Sequence, residues 1–137
     1  MEAVKSINIT AVLKKAGIRK GEEGRNGRIG YATFSEGFYV EALDKDYIPV
    51  YGMRNGKKST RPTSWKVRNA KDSRFSVSFT GRNVDWKLLD SDYAEKARQD
   101  ADQSFNKIVE ALTNEGFVIT EVNASRHYLI VLGKQEN

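Results

Sequence analysis

The sequence has no cysteine, one histidine and two prolines among its 137 residues. Without cysteine there is no disulfide, no thiolate zinc site and no cysteine nucleophile. A lone histidine, His127, and the lack of a calcium-type acidic loop leave no metal-ligating set, so no metal and no cofactor is expected. No apolar run approaches the roughly 18 residues that would cross a bilayer. Met1-Glu2-Ala3-Val4-Lys5 also lacks the apolar stretch of a signal peptide. These absences lead to the expectation of a cytoplasmic protein without a membrane partner.

What is present is enough for one core. Six Phe, six Tyr and two Trp supply bulk, and 39% of residues are hydrophobic. A chain of this length is expected to form a single domain over 1–137. The net charge is +5 and uneven. Residues 1–74 carry 16 Lys/Arg against 8 Asp/Glu, whereas residues 75–137 carry 7 against 10. The asymmetry points to an anionic partner for the first half, with a solvated basic face as the plain alternative.

Two helices are predicted. Ile9, Val12, Leu13 and Ala16 recur at helical spacing after Asn8 or Thr10 as caps, giving a short helix over about 9–16. Gly17 stops it, and Ile18 packs back on it. The second is long, about 91–115. Asp90 or Ser91 caps it, Asp92 and Glu95 sit in its positive first turn, and Gly116 ends it. Tyr93, Ala94, Ala97, Ala101, Phe105, Ile108, Val109 and Leu112 form one stripe. Its first half is alanine-rich, so another surface can approach closely there, and a homo-oligomer is one reading.

Between the helices the sequence alternates. Residues 29–34, Phe38–Leu43 and Tyr47–Tyr51 read as a strand meander, with turns at Ser35-Glu36-Gly37 and Asp44-Lys45-Asp46. Pro49 assigns the third of these to a sheet edge or bulge. Asn55-Gly56 is a hairpin dipeptide. Trp65 and Val67 alternate with polar neighbours, Asn69–Asp72 reads as a turn, and Phe75, Val77 and Phe79 mark a further strand. Phe117–Val122 and His127–Leu132 close the chain as a hairpin whose second strand, apolar on both faces, is central. Residues 133–137 read as a frayed tail. The predicted fold is α+β and two-layered: an antiparallel sheet of five or six strands packed by both helices.

Four pieces carry a resemblance: Ile9-Thr10-Ala11-Val12 running into Ala16-Gly17, Ser35-Glu36-Gly37-Phe38-Tyr39-Val40, Val50-Tyr51, and Ala111 to Val118 with its Leu-x-x-x-Gly-aromatic-x-Val turn. The layout resembles a broad group of small bacteriophage-encoded α+β proteins without assigned activity. The resemblance excludes residues 54–90, where this chain carries a longer insertion. It implies a phage accessory role in the host cytoplasm and transfers no functional residue.

The strongest functional candidate is the basic hairpin or loop at 54–74. Arg54, Lys57, Lys58, Arg61, Lys66 and Arg68 would contact a polyanion, with Trp65 as aromatic anchor. The partner is a nucleic acid or an acidic host protein that handles nucleic acid or serves defence. Helix–three strands–helix is also the order of a double-stranded-RNA-binding domain, but Asp90, Asp92 and Glu95 stand where such a domain needs positive charge. Gly21, Gly24, Gly27 and Gly30 recur every third residue. They make a possible anion loop with Arg25 and Arg28 for a nucleotide-binding or sequestering role, although the P-loop spacing is missing. His127 has no partner nameable from sequence. No catalytic set is seen, and the chain is read as non-enzymatic.

Overall fold

Buried apolar residues recur at helical spacing in two segments and at alternate positions in three strands, and these faces meet in one core. A computed structural model describes residues 1–25 and 32–136. Helix α1 spans Ser6–Lys15 and α2 spans Asp92–Asn114. The main sheet has four antiparallel strands in the order β3 (Gly37–Ala42), β8 (Phe75–Thr80), β10 (Tyr128–Lys134), β9 (Phe117–Asn123). The fold is therefore α+β, with a main sheet of four strands rather than five or six.

Alternation supplies the sheet's inner face. Phe38 and Ala42 of β3, Phe75, Val77 and Phe79 of β8, and Leu129 and Val131 of β10 share one buried cluster with Ile9 and Leu13 of α1. Phe105, Ile108 and Leu112 of α2 join them. β10 lies between β8 and β9, the inner position expected of it.

The helix ends follow local chemistry. The Ser91 side chain caps α2 by accepting from the Ala94 N–H. Gly17 and Gly116, with φ of 82° and 85°, follow the two helices in the left-handed conformation that glycine tolerates. Ile18 turns back into the core, its N–H donating to the Leu13 carbonyl. α1 starts earlier than the apolar spacing implies: Asn8 lies inside it and accepts from the Lys5 N–H with its side chain.

The meander does not form. β2 (Ala32–Phe34) pairs with β1 (Glu23–Arg25), not with β3. β3 instead pairs with β8, Ala42 opposite Phe75, and the chain then continues into β4 (Lys45–Val50). Asp44-Lys45-Asp46 is thus a junction between successive strands of one long hairpin, not a turn. The expected turn at 69–72 is its counterpart: β4 pairs with β7 (Ser64–Asn69), which leads back into β8. Beyond them, β5 (Met53–Arg54) pairs with β6 (Lys57–Lys58). The hairpin closes at Asn55 and Gly56, whose φ of 51° and 76° suit a two-residue type I′ turn. Residues 45–69 are therefore a two-stranded ribbon that extends one hairpin of the main sheet.

Both junctions of this ribbon have the same build. Two residues, Leu43 and Asp44, face five, Ala70 to Arg74; then Tyr51 and Gly52 face five, Ser59 to Thr63. In each, a returning-strand hydroxyl accepts a backbone N–H from the outgoing strand. Ser73 Oγ accepts from Asp44 at 3.1 Å, and Thr63 Oγ1 accepts from Gly52 at 2.8 Å.

The alanine half of α2 is covered by the chain itself. Ala94, Ala97 and Ala101 are buried, and a Cβ on Gly81 would stand 3.2 Å from that of Ala101. The close approach legible in the sequence is made by Gly81 of the same chain. Of the tail, Gly133 and Lys134 belong to β10. Lys134 exchanges backbone hydrogen bonds with Glu2, and the Gln135 N–H donates to the Gly116 carbonyl.

Candidate nucleic-acid interface

The ribbon and its junctions, residues 43–74, carry nine Lys/Arg against three Asp, a net of +6. That exceeds the +5 of the whole chain, so the remainder is slightly acidic. Two of the three carboxylates are engaged at fixed points. Arg74 grips Asp44 with two hydrogen bonds of 3.1 and 3.0 Å, and its N–H gives the same carboxylate a third. The Arg74 guanidinium and N–H together hold the Asp44 carboxyl below the usual carboxylate range. Asp46 lies 3.6 Å from Arg68. Among the described residues, Lys45, Arg54, Lys57, Lys58, Arg61, Lys66 and Lys71 have no carboxylate partner.

The register sorts the residues named from sequence. Directly opposed residues of an antiparallel pair project from the same face. Trp65 lies opposite Pro49 and Val67 opposite Tyr47, so these four share one face. Lys66 opposite Ile48, and Arg68 opposite Asp46, share the other. Arg54 and Lys57 are paired at the tip beside Lys58. Arg61 stands in the second junction. The six cations and Trp65 therefore do share one ribbon, but Lys66 and Arg68 point away from the aromatic anchor. Sequence alternation already contained this split, yet it became readable only with Tyr47 and Pro49 as partners of Val67 and Trp65.

The glycine stretch gives less. Arg25 ends β1, and Arg28 lies outside the described residues.

A second grouping was not visible in the sequence. His127, with a φ of 54°, places Nε2 2.6 Å from Oδ1 of Asp102 on α2, while its ring lies 5.6 Å from that of Phe105. Helix spacing puts Asp102 beside Phe105, but nothing local ties either to residue 127. An adjoining open cleft of ≈ 330 Å³ is lined by Arg82, Val84, Leu89, Ala97, Arg98 and His127. Its arginines are already paired, Arg82 with Asp100 at 2.8 Å and Arg98 with Glu95 at 2.6 Å, and His127 is held by Asp102. A His–carboxylate pair can orient a proton acceptor, but this cleft offers an anion no net charge. The ribbon does. Among the described residues no three His, Asp or Glu side chains converge as a metal site.

No family model matches the chain, and neither a curated protein nor a solved structure is significantly similar to it.

Proposed function

We propose that this chain is a non-enzymatic accessory protein that binds nucleic acid through its basic ribbon. The supporting observation is the concentration of charge: residues 43–74 carry a net +6 while the rest of the chain is slightly acidic, and Arg54, Lys57 and Lys58 at the tip have no carboxylate partner among the described residues. Unpaired Lys and Arg displace counterions from phosphates and gain affinity by releasing them. Arg54, Lys57, Lys58, Arg61, Lys66 and Arg68 make those contacts. Origin in a bacteriophage or other mobile element, and action in the host cytoplasm, belong to the same proposal and rest on the resemblance carried by residues 9–17, 35–40, 50–51 and 111–118.

The test is binding to mixed DNA and RNA across a salt series. With four to six phosphate contacts, the logarithm of the affinity should fall against log salt with a slope of about −3 to −5. No binding at low salt, or binding indifferent to salt, overturns the proposal. A purified acidic protein partner that binds while nucleic acid does not would assign the ribbon to protein recognition instead.

A further inference from the structure

We infer that the ribbon takes single-stranded rather than duplex nucleic acid, with bases stacked on the face that carries Tyr47 and Trp65. The inference rests on the nucleic-acid reading above and adds the form of the ligand and the surface that selects it.

On that face β4 presents Lys45, Tyr47 and Pro49, and β7 presents Trp65, Val67 and Asn69. Tyr47 is 64% exposed, Trp65 58% and Val67 54%. These are large apolar surfaces on an element with no core beneath it. Two-stranded hairpins are marginal in water by themselves, so a cover over this face stabilises the ribbon as well as the complex. The face carries no carboxylate: Asp46 projects from the other side, against Arg68. Its cation, Lys45, is unpaired among the described residues.

Tyr47 lies opposite Val67 and therefore diagonal to Trp65. Diagonal positions are about 7–8 Å apart, and Val67 and Pro49 fill the remaining corners of the patch. A duplex keeps its base faces stacked inside and offers phosphates and base edges. Against that surface two exposed rings, a valine and a proline would meet charge. A single strand offers the base faces themselves, which stack on aromatic rings whatever the sequence, while nearby cations track its phosphates. Lys45 at one end of the patch and Arg54, Lys57 and Lys58 beyond the other supply that track. A second copy of the chain is a poorer cover, because two ribbons of +6 repel.

The experiment uses the full chain and labelled mixed-sequence DNA, single-stranded and duplex at equal length and salt, read by anisotropy and by tryptophan emission. The single strand should bind at least 10-fold more tightly and quench tryptophan emission. Trp65→Ala and Tyr47→Ala should each weaken single-strand binding by roughly 5- to 100-fold, the range of one base–aromatic stack, with duplex binding unchanged. Trp65→Phe should retain most of the affinity and lose the quenching. Circular dichroism melts verify that each variant folds. Equal, salt-sensitive binding of both forms, or alanine variants that bind the single strand as the parent does, overturns this inference and leaves the nucleic-acid proposal standing. Salt-sensitive binding of neither form overturns both. A dimer in light scattering that Trp65→Ala converts to monomer assigns the face to self-association and also overturns the inference.

Discussion

The carboxylate of Asp44 accepts two guanidinium hydrogen bonds and one backbone hydrogen bond from Arg74, at the point where the four-stranded sheet gives way to the ribbon. The buried Ser73 hydroxyl completes the knot, accepting from the Asp44 N–H and donating to the Arg74 carbonyl. Three polar residues thus hold the returning strand in register across a five-residue excursion.

This knot depends on pH with a definite sign. Asp44 is held below its ordinary value by Arg74. Its stabilising contribution is complete above the unfolded value, near 3.9, and is lost as pH falls through the folded value. The Arg74 amide should therefore be protected from hydrogen exchange at pH 6 and lose relative protection toward pH 3. Asp44→Asn should show the weaker protection at both pH values.

The ribbon should be dispensable for folding. No residue from 45 to 69 belongs to the buried core. Replacing 45–69 by Asn-Gly, with Asp44, Ser73 and Arg74 retained, should shift the melting temperature by no more than a few degrees, about the effect of 1 kcal/mol in a domain of this size. The same deletion should abolish salt-dependent nucleic-acid binding.

Single cations at the tip should act additively and without sequence preference. Lys57→Ala and Lys58→Ala should each weaken binding equally across sequences and reduce the salt slope by about 1. Arg82→Ala, which removes a cation paired with Asp100, should leave that slope unchanged. Titrations at three salt concentrations separate the two outcomes.

Gly37 should resist substitution. Its φ is +145°, and a Cβ there would stand 2.3 Å from the Gly21 nitrogen and 2.7 Å from the Arg19 carbonyl. Both contacts are backbone, in the segment whose N–H and C=O pair with Phe38. Gly37→Ala should cost about 2–4 kcal/mol in urea unfolding, combining strain and overpacking.

Phe105 and Trp65 offer a contrast between core and surface. Phe105 is 1% exposed and touches the His127 ring. Phe105→Ala should cost about 3–5 kcal/mol, whereas Trp65→Ala should stay within about 0.5 kcal/mol, both read by urea unfolding.

Local physics made much of this readable in the sequence. The α2 stripe follows from a 3.6-residue period, the ends at Gly17 and Gly116 from the left-handed conformation, and the tip turn from Asn55-Gly56. Pro49 marks an edge because it lacks an N–H, and β4 is one of only two strands in its sheet. The basic stretch was visible as charge. What alternation cannot state is which strand lies beside which, so three consecutive strands read as a meander. The passage of β3 into β4 depends on β7 and β8 returning from 14 or more residues away.

The sequence by itself determined both helices, the tip turn and the charge of the ribbon, because periodicity, turn residues and ionised groups act within a few residues. Tertiary structure alone decided that Tyr47 joins Trp65, that Lys66 and Arg68 face the opposite way, that Gly81 approaches Ala101 of α2, and that His127 meets Asp102. Each of these depends on register or packing between segments distant in the chain, and no local preference encodes such a contact.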